Sequence, residues 1–135
     1  MPNTVAHRSK VDQKFTWNAE SVFPSVEAWE KEVDQILEDI ATVKEYQGRL
    51  AEDPLVLLDA LTAYDRLVSR AQIALMYAGF SYAVETTNQQ AAGMNSKAQG
   101  MYGRVASGVS FLQPEILQIG KAKLDEWMEQ NEKLA

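Results

Sequence analysis

The sequence contains no cysteine and a single histidine, His7. Disulfides, thiol nucleophiles and thiolate metal sites are therefore excluded together. One histidine cannot build a zinc site of the HExxH type or a di-iron Glu-x-x-His bundle, since each needs at least two. His7 falls in a polar leader, where it reads as a solvated tail residue, so no serine has a histidine base within a folded element. Basic residues are in deficit: 13 Lys and Arg against 19 Asp and Glu give a net charge of −6. They are scattered rather than clustered, which argues against a nucleic-acid partner. No apolar run approaches the length of a bilayer span, and no short apolar segment of a signal peptide appears, so neither a membrane partner nor export is expected. Proline is sparse, at positions 2, 24, 54 and 114. Hairpin dipeptides and sustained period-two alternation are missing, which leaves little room for strands.

What is present is helical periodicity. With 135 residues, 46% of them hydrophobic, the chain suffices for one domain with a sizeable core. The expected fold class is all-α: an antiparallel bundle of three long helices, then a short turn and a C-terminal helix.

The first helix is expected after an N-cap at Ser25, with Glu27 at the positive end of its dipole and Pro24 stapled to Trp29. Val26, Trp29, Val33, Ile36, Ile40 and Val43 form one apolar stripe, and Gly48 is the natural stop. The second helix opens at Asp53 as N-cap with Pro54 in its first turn. Its stripe is Leu57, Leu61, Tyr64, Val68, Ala71, Leu75 and Tyr82, it ends near Ala83, and Leu58, Leu67 and Met76 widen it for packing on two sides. Thr87 and Gln90 have capping-box spacing for the third helix.

Gly93, Ser96, Gly100, Gly103 and Ser107 share one face of that third helix. Each internal glycine costs about 1 kcal/mol relative to alanine, so close packing against the second helix is the expected compensation, with a ligand or partner groove as the rival reading. The neighbouring face carries Met94, Ala98, Met101, Val105, Val109 and Leu112. A short turn begins at Pro114 and Gly120 breaks it. The last helix presents Leu124, Trp127, Met128 and Leu134, a face expected to await a following helix or to pair with a second copy as a homodimer. It meets the end of the chain without a stop signal, a hint of truncation.

The segment "FTWNAESVFPSVEAW" raises a separate question, because it places Phe15, Trp17, Phe23 and Trp29 within fifteen residues. Val22, Phe23 and Trp29 are expected to cover one another against the first two helices, with Phe15 and Trp17 anchoring the leader across the bundle. Paired acidic neighbours such as Glu38 with Asp39 and Asp125 with Glu126 read as solvated faces. Tyr77, Phe80 and Tyr82 read as core. No catalytic, cofactor-binding or metal-binding residue is assigned, and on its own residues the chain is not an enzyme.

The order of landmarks resembles the N-terminal region of the oligoendopeptidase F family, zinc metallopeptidases of the thimet-oligopeptidase-like superfamily. "FTWNAESVFPSVEAW" is similar to that family's Trp-containing turn, Phe-Pro-Ser and following Trp-bearing helix. "YQGRLAEDPLVLLDAL" resembles its aromatic-x-Gly-basic-Leu turn and leucine-rich helix, and "MYAGFSYAVETTNQQA" its second turn, with Glu85 where Asp is usual. "SFLQPEILQIGKAKLDEWMEQ" is similar to the closing segment. The glycine density of the third helix departs from the family's usual pattern.

The resemblance covers residues 15–135 and makes residues 1–14 a flexible polar leader. It implies a noncatalytic lobe forming wall or lid of the substrate chamber in a cytoplasmic peptidase that cleaves short peptides. No cofactor is then expected in this chain; zinc and the HExxH helix belong to a missing catalytic domain. That catalytic lobe is the implied partner, and oligopeptide substrate is met only in the intact enzyme. The other reading open at this point is a free-standing helical interaction module that binds itself or a helical partner.

Overall fold

A computed structural model describes residues 6–135. It contains five α-helices and, among the described residues, no strand: α1 (Val26–Lys44), α2 (Pro54–Val84), α3 (Gln89–Gly108), α4 (Leu112–Ile119) and α5 (Lys121–Gln130). The all-α bundle is as expected, and what was read as a short turn after Pro114 is the two-turn helix α4. Each of the three long helices packs against the other two.

The helix starts follow local chemistry. Ser25, in an extended conformation, accepts the Ala28 N–H at 3.1 Å and so satisfies one of the orphan donors of the first turn of α1. Asp53 does the same for Leu55 at 2.7 Å, with Pro54 in the first turn of α2. The start of α3 differs from expectation by one residue. Asn88, not Thr87, is the cap, and its side-chain oxygen accepts the Ala91 N–H at 3.1 Å. An Asn amide oxygen caps as well as a Thr hydroxyl or better, so the chain uses the later residue. Gly48 does not end α1 directly, since the helix finishes at Lys44. Gly48 instead turns the loop to α2, with φ of 80°, a left-handed conformation that glycine adopts without strain. Gly120, with φ of 87°, makes the corresponding break between α4 and α5.

On α1 the expected stripe is the buried one: Trp29, Val33 and Ile36 are wholly inaccessible and Val43 nearly so. On α2 the face is rotated. Its buried residues are Leu57, Ala60, Leu67, Ala71, Ala74, Tyr77 and Ala78, whereas Leu61, Tyr64, Val68 and Leu75 are half-buried and Met76 is exposed. The reason is the central position of α2. Alanines 60, 71, 74 and 78 form a seam without protruding side chains, which lets neighbouring helices approach closely, and the bulkier residues move to the flanks.

The glycine face of α3 corrects a second expectation. A Cβ added at Gly93, Gly100 or Gly103 would meet nothing within 4 Å. That face does not pack on α2; the adjacent one, rotated by about 100°, does, burying Ala91, Met94, Ala98, Met101 and Val105. Close approach on α3 occurs instead at Gly108, where an added Cβ would lie 2.5 Å from Ile40 Cγ2.

The N-terminal aromatics separate. Trp29 is fully buried, and its indole N–H donates to the Ala74 carbonyl at 2.9 Å. Phe23 meets Tyr77 edge-on at 5.0 Å between ring centres. Val22 remains 41% exposed and Phe15 75% exposed, so neither takes part in the cover expected of it. Trp127 of α5 is buried, and the ring thought to await another helix is already covered within the chain.

The two kinds of glycine predict opposite signs. Gly100→Ala should raise stability by about 0.5–1 kcal/mol, since open space receives the methyl and the unfolded chain loses freedom. Gly108→Ala should lower it by about 1–3 kcal/mol, because the β-branched Ile40 cannot swing aside. Urea midpoints of the two variants measure both.

Candidate functional site

Among the described residues, three surfaces that combine several elements differ in their chemistry, beside an open depression of about 530 Å³ between α1 and α3 that Gly100 and Gly103 help to line. The first is the seat of the leader, which was expected to be solvated. Its residues Met1–Val5 lie outside the described residues, but from His7 onward it touches the bundle. His7 Nδ1 lies 2.5 Å from Glu85 Oε1 at the C-terminal end of α2, with the imidazole still 63% exposed. Arg8 donates to the Trp17 carbonyl at 2.8 Å and stands over the Trp17 ring. Trp17 in turn meets Tyr77 and Phe80 of α2 edge-on, at 5.9 and 5.8 Å. Trp17 thus anchors this segment as the sequence suggested, while Phe15 does not. Burial, with Glu20 nearby, pushes the Tyr77 phenol above its ordinary pKa.

The second is an ion-pair clamp between α1 and α2. Arg70 donates to both carboxylate oxygens of Glu32, at 2.6 and 3.1 Å, and to Asp39 at 2.5 Å. Gln35 donates to the other Asp39 oxygen at 3.1 Å. The Arg70 hydrogen bond holds the Asp39 carboxyl below the ordinary carboxylate range, and the same pairs raise Arg70 further above its usual value. Asp39 had been read as part of a solvated face. Its spacing of seven from Glu32, two helical turns, is the signal that placed both carboxylates toward one cation on α2. The clamp holds two helices in register and presents no free acid or base.

The third is an apolar groove of about 540 Å³ between α2, α3 and α4, walled by Leu61, Tyr64, Tyr102, Val109, Ile116 and Leu117 among others. None of its twelve lining residues is charged. Leu61, Tyr64 and Val68 had been assigned to the core stripe of α2; the turn into α4 leaves them lining this groove. The available signal was the excess apolar width of α2 together with the pair Ile116–Leu117. Of the three surfaces this is the candidate functional one, and its chemistry is that of an interface, not a reaction centre. Among the described residues no three His, Asp or Glu side chains gather as a metal would require, and no buried side-chain N or O lacks a partner. Nor is any described helix long and apolar enough to cross a membrane.

Comparison with known proteins places this bundle. Over 132 residues, 98% of the chain, it is 36% identical to oligopeptidase PepF of Bacillus subtilis (strain 168). This chain is similar to proteins named oligopeptidase or oligoendopeptidase F. It is also 28% identical over 116 residues to group B oligopeptidase PepB of Streptococcus agalactiae, and 26% identical over 135 residues to the plasmid oligoendopeptidase F of Lactococcus lactis subsp. cremoris. The chain spans only about a fifth of the length of these curated relatives: 20%, 19% and 22% respectively. No protein-family model and no solved structure matches it.

The clamp gives a pH prediction. Asp39 has a lower pKa folded than unfolded, so its stabilisation is present above the unfolded value and is lost as pH falls through the folded one. Arg70→Met should cost about 1–2 kcal/mol at neutral pH, at the lower end for charged hydrogen bonds because the partners are 28–33% exposed. The difference from the parent chain should be complete at pH 7 and shrink below about pH 4. Urea unfolding of both proteins across that range measures it.

Proposed function

We propose that this bundle is the N-terminal, noncatalytic lobe of an intracellular zinc oligoendopeptidase, shaping the wall or lid through which short peptides reach a catalytic domain elsewhere in the polypeptide. One observation carries the reading: nearly the whole chain aligns with about one fifth of oligopeptidase PepF, leaving four fifths for the chemistry.

Physical chemistry assigns the roles consistently with this division. A zinc peptidase of the HExxH type presents two histidines from one helical face and uses the intervening glutamate as general base. The only histidine of this chain, His7, precedes all five helices and contacts Glu85. The zinc and its ligands accordingly belong to the remainder of the longer protein, and this lobe contributes shape and restricted access. A rigid three-helix unit with a capped, ion-paired α1–α2 pair suits a wall better than a loop would. The absence of cysteine fits a cytoplasmic setting, where thiols stay reduced and disulfides contribute nothing.

The charge-free groove favours a second reading, a free-standing helical module that works by binding another protein.

The gene beyond the codon for Ala135 discriminates the two. An open frame leading to an HExxH helix is expected. Its product should cleave an internally quenched oligopeptide and lose that activity on zinc chelation, while the 135-residue chain alone releases no fluorescence. A natural stop after Ala135, or a longer product without such a helix, overturns the peptidase reading and leaves the interaction module.

A further inference from the structure

We infer that the groove between α2, α3 and α4 is the seat of an apolar segment contributed by the rest of the same polypeptide, outside residues 1–135. The inference rests on the proposed function, since it requires the longer chain, and adds which surface the remainder uses.

The groove's composition selects a macromolecular occupant. The chain as a whole is 24% charged, yet none of the twelve residues lining this groove carries a charge, and two are tyrosines. Depletion of charge with retention of aromatics marks the core of a protein interface. A small-molecule pocket of similar volume would instead converge a few fixed polar groups on its ligand. Here only Ser110, Gln113 and the tyrosine hydroxyls are polar. At the rim, Leu117 stands 72% exposed on α4, a large aliphatic side chain directed outward as an apolar counterpart would require. The depression beside the leader differs in kind, because Arg8, Asp12, Lys14, Glu20 and Glu85 line it.

The size of the groove selects a tethered occupant over a free one. Twelve residues are about half of the 20–30 per side that a stable association of separate molecules uses. A second copy of the chain would therefore bind it weakly. A segment joined covalently meets the groove at an effective concentration of about millimolar, which suffices for a small apolar contact. The relatives are about five times the length of this chain, so such a segment is available.

The test uses the lack of cysteine. Leu117→Cys places one thiol on the 135-residue chain, where it should react with a maleimide at the rate of an exposed side chain. The same substitution in the full-length gene product, with the labelled site mapped by peptide mass spectrometry, should react at least about tenfold more slowly. Leu117→Asp should leave the urea midpoint of the 135-residue chain unchanged and lower the thermal midpoint of the full-length protein. Equal labelling rates in both proteins overturn the inference while the peptidase reading stands. Protection that grows with the concentration of the 135-residue chain also overturns it, assigning the groove to a second copy. A reading frame closed at Ala135 overturns both, and is recognised before any thiol is labelled.

Discussion

The indole of Trp29 is the contact on which the arrangement of α1 on α2 depends. It is wholly buried and donates its N–H to the Ala74 carbonyl, so its position fixes both the depth and the register of the crossing. An indole that lost this partner would leave a polar group unsatisfied in the core, a cost of about 1–3 kcal/mol before any loss of packing. Around it, Val33 and Ile36 continue the contact, and on the solvent side Arg70 ties Glu32 and Asp39 across the same pair of helices. Apolar burial and a partly exposed ion-pair clamp therefore set the same register, and this agreement makes the α1–α2 pair a stiff unit.

From that pair follows the placement of α3. The alanine seam of α2 leaves room for close neighbours, and of the glycines on α3 the tightly packed one is Gly108, against Ile40 of α1. The other glycines of α3 face open space. They weaken the helix locally without contributing contact, so α3 is held mainly by its buried Ala91–Met94–Ala98–Met101–Val105 face and by Gly108 against α1. A helix tethered along one narrow face leaves room beside it, and α4, turning back after Val109, closes only part of that room. The groove is the remainder. Its apolar walls are a consequence of how three helices with unequal apolar widths share one core.

Much of the fold was legible from residues. Ser25, Asp53 and Pro54 marked helix starts because their chemistry acts over three or four residues, and the α1 stripe was readable because a single neighbour-facing surface obeys a single period. The reading failed where two or more partners compete. On α2, a central helix, the smallest side chains lie where backbones come closest, so the large residues that mark its apolar stripe do not mark its core. On α3, a line of glycines suggested contact, yet whether a small face meets a helix or water depends on the rotation of the whole element. Thr87 and Asn88 are adjacent cap candidates, and it is the Asn88 side chain that accepts the Ala91 N–H.

The sequence by itself determined the all-helical class, the starts of α1 and α2 and the similarity to oligoendopeptidase F proteins, since each depends on residue identity and short-range spacing. Only the tertiary structure decided which apolar residues became core and which became groove. Leu61, Tyr64 and Val68 have the same periodicity as buried residues, and what distinguishes them is that no side chain of α3 or α4 fills the space above them. Burial is a property of the pair of surfaces that meet, and a single helix carries information about only one of them.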